Sequence, residues 1–194
     1  MIMAMIEHLI TRAATLFARA GGAMIVLIAL TVVVDVVSRN LTGRTVLNSF
    51  EMSSYLFAVA IAFGMSYTAL SGSHIRVDVL LPRLPEKVRR GLDFAAFVAM
   101  AGLAMTFAWC AVELALESLR RGVTSSSAAA IPLGMPQAVW AAGFVLFAIT
   151  TCLLAVQHGL CLVRGDSAGA DRIGRFGQQE EAAEAIEDAS RMGG

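Results

Sequence analysis

The residues able to do chemistry are few, and they stand at the ends of apolar runs. Asp35 and Arg39 lie four apart, so a continuing helix puts them on one face, where they can form an ion pair. Asn48 and Glu51 have the spacing of a capping box, with Asn48 as N-cap and Glu51 in the first turn. The helix dipole favours a carboxylate there. A second role is open to Glu51: contact with Arg39, Arg44 or a polar group of a partner chain. His74 and Asp78 bracket a short loop motif, but two metal ligands with no third nearby make a poor site. They are expected to fix a turn. His8 and His158 stand alone near helix ends, whereas membrane haem bundles need histidines facing one another. Cys110, Cys152 and Cys161 are odd in number, form no C-x-x-C pair and lie inside apolar stretches. No catalytic, cofactor-binding or metal-binding constellation is expected, so the chain does not read as an enzyme.

The elements that position these residues follow from composition. Hydrophobic residues make up 57% of the 194 residues and charged ones only 15%, with a mean hydropathy of +0.71. A soluble domain carries roughly 25% charged residues, so this chain is too poor in charge to coat a water-facing surface. Its formal net charge is zero, and without a basic excess or a recognition motif nucleic acid is not an expected partner. The expected fold is an all-α integral membrane protein.

Four apolar segments define it. Residues 21–37 hold one charge, Asp35; residues 52–70 and 94–112 hold none; and residues 122–163 contain no Asp, Glu, Lys or Arg. A bilayer core of ~30 Å needs about 20 helical residues, so the first three segments predict one span each. The fourth is too long for one crossing. Its front part, 122–136, is rich in Ser, Ala and Pro and predicts a re-entrant or interfacial connection, with the span proper beginning near Pro136 or Val139. Small residues at four-residue spacing, Ala60 with Gly64 and Ala104 with Ala108, permit close helix packing.

Residues 1–19 read as an amphipathic helix on the membrane surface. The run after Arg19 is too long for a signal peptide and lacks a small-x-small cleavage site, so the first span is expected to be retained. Basic residues are unequally divided. One side collects Arg12, Arg19, Arg76, Arg83, Lys87, Arg89, Arg90, Arg164, Arg172 and Arg175, and the other Arg39, Arg44, Arg120 and Arg121. This excess places both termini in the cytoplasm. Two regions are expected: a membrane domain over 1–164 and a mobile acidic cytoplasmic tail over 165–194.

Taken in order, these features resemble the small membrane subunit, or Q subunit, of tripartite ATP-independent periplasmic (TRAP) transporters. Asp35-Val-Val-Ser-Arg39 closes the first span, and a short loop leads to Phe50-Glu51 at the start of the second. Phe63-Gly64 follows within that span, then His74-Ile-Arg-Val-Asp78, Leu84-Pro85 and the basic run from Lys87 to Arg90. Ala130-Ile131-Pro132 and Pro136 precede the last span. The likeness covers roughly residues 7–164.

That resemblance implies a multi-pass protein of the bacterial inner membrane. Its partners would be a large permease subunit, which holds the substrate and ion sites, and a soluble periplasmic substrate-binding protein. Transport would be driven by an ion gradient and would import an organic acid. Asp35, Arg39, Glu51, His74 and Asp78 match the family's motif and are assigned to folding and subunit contact. Arg44, Arg120 and Arg121 fall on the periplasmic side and are candidates for docking the binding protein. A stand-alone four-span exporter is the alternative; such exporters are shorter and carry their working Glu inside the first span. A four-helix thiol oxidase would need paired loop cysteines, which are absent here.

Overall fold

The computed structural model describes residues 2–43, 49–71, 85–127 and 130–174. Its elements are α1 (Ile2–Thr42), α2 (Ser49–Leu70), α3 (Glu86–Arg121), α4 (Gly134–Arg164) and a short α5 (Ser167–Gly174). No strand forms among the described residues; one isolated bridge joins Thr124 and Pro132. Four helices are long and apolar enough to cross a bilayer: α2, α3, α4 and the part of α1 from His8 to Thr42. Lipid leaves unpaired backbone groups unsolvated, and a helix satisfies them within one segment.

At 1.5 Å per residue the 41 residues of α1 extend about 60 Å, twice a bilayer core. The surface helix expected over 1–19 is therefore not a separate element. Gly21 and Gly22 do not interrupt the hydrogen-bond ladder, and the helix continues through them into the apolar run. The ends of α3 and α4 are set by glycine. Gly122 and Gly165 adopt positive φ of 61° and 70°, a region that costs a residue with a Cβ. In each case the residue after the glycine closes back on the helix: Val123 N–H donates to Ser118 O and Asp166 N–H to Cys161 O, both at 3.0 Å. Pro85 immediately precedes α3, its carbonyl accepting from the Arg89 amide at 3.0 Å. The last span begins at Gly134, two residues before Pro136.

The chain packs as two compact units. The first comprises residues 1–67 and 104–148. Here Gly21 comes so close to α2 that an added Cβ would sit 2.9 Å from the Ala60 carbonyl oxygen. One turn earlier, Phe17 meets Phe63 with ring centroids 4.4 Å apart. Gly143 of α4 approaches Ala62 equally closely. Ala111 and Ala115 of α3 bury against Ala141 of α4, flanked by Val112, Ala138, Trp140 and Phe144. Phe144 takes the edge of Trp140 at 5.0 Å and tilts against Phe107 at 5.8 Å. Small residues at the contacts and rings around them are how helices approach without a hydrophobic drive between them.

The second unit comprises residues 68–103 and 149–194. At its centre His158 of α4 is fully buried, between Phe97 at 5.3 Å and Phe94 at 6.2 Å, the latter ring nearly parallel to the imidazole. The histidine read from sequence as an isolated helix-end residue is thus a core residue. Residues 165–174 also differ from expectation. They turn back and form α5 rather than starting a tail, burying Ala170 and Ile173. Asp166 caps α5, its Oδ1 accepting from the Gly169 amide at 2.9 Å.

Candidate functional site: the acidic junction of the first unit

Polar side chains of the first unit concentrate where α1 ends, α2 begins and α3 passes to α4. Asp35 is buried near the end of α1. Its Oδ2 accepts a 2.8 Å hydrogen bond from Ser49 Oγ, the first residue of α2. No ion pair joins Asp35 to Arg39 among the described residues, although the helix carries both on one face. The reason is local. Asp35 turns inward to the α1–α2 junction, while Arg39 is at a more exposed position near the helix end. A buried carboxylate is stabilised by a donor in its own plane of burial, and a hydroxyl can follow it there without desolvating a second charge.

Glu51, two residues after Ser49, shows the same chemistry. Tyr55 Oη donates to Glu51 Oε1 at 2.8 Å, an i to i+4 contact along α2. The Ser125 and Ser127 hydroxyls reach the same carboxylate from the α3–α4 connection, and they stand 2.8 Å from each other. That connection is held in shape by its backbone: Ser125 N–H donates to Ile131 O and Leu133 N–H to Val123 O, each at 2.9 Å. Among its described residues, the stretch expected to be re-entrant or interfacial presents two hydroxyls to Glu51.

Six of the residues singled out from sequence lie elsewhere or outside the described residues. Arg44, His74 and Asp78 fall outside them, as does Asn48, the expected N-cap. Arg121 pairs with Glu117 at 2.7 Å along α3, and Arg120 lies beside it at the helix end. Ser49, Tyr55, Ser125 and Ser127 were not singled out from sequence. Tyr55 was findable, since it stands one helical turn after Glu51. Nothing local to Ser125 or Ser127 announces a partner in α2, seventy residues earlier.

In the second unit the polar centre is Asp171. Its carboxylate receives Arg90 Nε at 2.9 Å, Arg90 Nη2 at 3.0 Å and Arg89 Nη2 at 3.3 Å. Hydrogen bonds from the Arg90 guanidinium, with Arg89 adding to them, hold the Asp171 carboxyl down to about 2. Among the described residues no three of His, Cys, Asp or Glu come together as metal ligands.

Four long apolar helices, with Asp35 and Glu51 at one junction hydrogen-bonded to hydroxyls, define a multi-pass membrane protein whose polar groups join helices. The family can be named more closely. The chain belongs to the DctQ component family of tripartite ATP-independent periplasmic transporters, whose family model matches residues 28–160, more than half the chain. Comparisons with curated proteins and with solved structures give no match. The protein is a small permease subunit of a TRAP transporter.

Proposed function

We propose that this subunit serves as fixed scaffold for a large permease partner, in a secondary transporter that imports an organic acid down an ion gradient. The observation that carries this reading is the exposure of apolar side chains. Leu27, Leu30, Val33, Val34 and Val37 of α1 are all exposed, and few residues of its most apolar stretch are buried within the chain itself. They lie on more than one side of the helix, so lipid or a partner helix must cover them. The family supplies the partner: a tripartite system has a second membrane component and a soluble one.

In this proposal the protein lies in a bacterial inner membrane with both termini cytoplasmic, as its basic residues direct. Asp35 and Glu51 hold the junction in the shape that the large subunit meets, Arg39 is exposed nearby for contact with it, and His74 and Asp78 serve the opposite loop. Arg44, Arg120 and Arg121 give the periplasmic side the positive charge to meet acidic residues of the binding protein. Ions and substrate are left to the large subunit.

A gentle-detergent pull-down from the native membrane, with partners identified by mass spectrometry, tests this. A large multi-spanning protein recovered in equal amount is the expected result. A homodimer without partners would overturn it and return Asp35 and Glu51 to consideration as exporter residues. Uptake unaltered by Arg120→Glu together with Arg121→Glu would remove the docking role.

A further inference from the structure

One face of α1 is cationic at its start and apolar further on. His8, Thr11, Arg12, Thr15, Leu16 and Arg19 line an open groove of about 440 Å3 along this helix. Their spacing by threes and fours makes them one stripe of an α-helix. Arg12 and Arg19 are seven residues apart, about 20° round the helix and about 10 Å along it, and both are exposed. Neither guanidinium has an ion-pair or hydrogen-bond partner among the described residues. Glu7 is the only acid before Asp35, and its position lies about 120–140° round the helix from both arginines.

The stripe points away from α2. Ala14 is fully buried, Phe17 meets Phe63 and Gly21 meets Ala60, and these three project from nearly the opposite side of α1. Along the axis, the line through Arg12 and Arg19 continues as Val26, Leu30, Val33 and Val37, all of them exposed. The six positions fall within about 60° of one another round the helix. Both arginines precede every apolar member of the line. Two unpaired cations followed by a continuous apolar stripe complement an anion with hydrocarbon attached. A free anion would leave the stripe from Val26 to Val37 uncovered. An apolar partner helix would cover that stripe and leave both guanidiniums without a counter-charge.

We propose that this face of α1 binds an anionic phospholipid, its phosphate held at Arg12 and Arg19 and its acyl chains lying along Val26 and Leu30. The order of groups along the helix, charge and then hydrocarbon, is the covalent order of the lipid. The distribution of basic residues makes this the cytoplasmic leaflet, where anionic lipids attract arginines next to a span. The proposal requires only that α1 crosses a bilayer; it stands apart from the role of the subunit in transport.

The full chain, purified in detergent, would be titrated with dioleoyl phosphatidylglycerol and the bound lipid counted by native mass spectrometry. Phosphatidylethanolamine of the same chains has no net charge and should bind about fivefold more weakly or worse. Arg12→Gln with Arg19→Gln should weaken phosphatidylglycerol binding about tenfold or more, the value of two arginines beside an anionic headgroup. Both changes lie away from α2 and spare its packing. Arg12→Lys with Arg19→Lys keeps the charges and should hold binding within about threefold of the wild type. Arg120→Gln with Arg121→Gln removes the same charge elsewhere and should leave it within about twofold. Inorganic phosphate in large excess should not displace the lipid. Equal binding of the ethanolamine lipid, equal retention by the glutamine pair, loss in the lysine pair or displacement by phosphate overturns the proposal. Because the readout is bound mass, it is independent of uptake and of partner recovery.

Discussion

Ser49 Oγ donates a 2.8 Å hydrogen bond to the buried carboxylate of Asp35, so the first residue of α2 is tied to α1 nearly two turns before that helix ends. The link gives the acid at the end of an apolar span a hydrogen-bond donor on the next helix. It also separates two residues that sequence spacing had joined. Ser49→Ala should lower stability in detergent by about 1–2 kcal/mol, because it removes a donor to a buried charged acceptor. Arg39→Gln should cost less than about 0.5 kcal/mol, as a change at an exposed position. Thermal unfolding of both variants decides between the two partners; a larger loss for Arg39→Gln would restore the ion pair.

The contact of Glu51 with Tyr55 and the two serines makes a second prediction. In a double-mutant cycle, Glu51→Gln and Ser125→Ala should couple by about 1 kcal/mol, since each removes part of one hydrogen-bonded group. Additive effects would mean that the α3–α4 connection holds its shape through its backbone bonds alone.

Asp171 gives a pH dependence whose sign is set by its depressed carboxyl. The folded value is about 2 against an ordinary 3.8, so the unfolded state binds the proton first as pH falls. The stabilisation from Arg90 and Arg89 is complete above the ordinary value and is lost between about pH 4 and pH 2. Proteolysis after residue 164 should therefore stay slow near neutral pH and accelerate in that acid window. Asp171→Asn should be cleaved faster near neutral pH, with the difference shrinking as pH approaches 2. The effect is worth about 1 kcal/mol, because the pair is partly solvated and screened by salt. A wild-type cleavage rate that stays flat from pH 5 to pH 2 would show that Ala170 and Ile173, not the ion pair, hold α5 in place.

Glycines at helix contacts can be told from glycines facing outward. A Cβ at Gly143 would stand 2.8 Å from Ala62 Cβ and 2.9 Å from its carbonyl carbon. Backbone cannot step aside as a side-chain tip does, so Gly143→Ala should cost about 2 kcal/mol. At Gly102 nothing lies within 4 Å, and Gly102→Ala should be neutral or stabilising by up to about 1 kcal/mol. Similar melting temperatures for the two variants would refute the close approach of α2 and α4.

The two ends of the chain show where reading from sequence stops. The absence of a surface helix separate from α1 could not be read from composition, because Arg12 and Arg19 suit either a membrane-surface helix or the water-exposed end of a long one. Likewise, residues 165–174 look like a polar tail until Asp166 caps a turn and Asp171 finds Arg89 and Arg90 eighty residues earlier.

The sequence by itself determined four spans, their approximate limits and the family. Each rests on local quantities: a run of apolar side chains long enough for a bilayer, and motifs in fixed order. Only the tertiary structure decided which donor serves each acid. Asp35 took Ser49 over Arg39, Glu51 took hydroxyls from a distant turn, and His158 entered an aromatic core. Spacing along one helix says which residues can meet, whereas burial decides which meeting is favourable. Away from water, a neutral hydroxyl reaches a carboxylate at less desolvation cost than a second full charge.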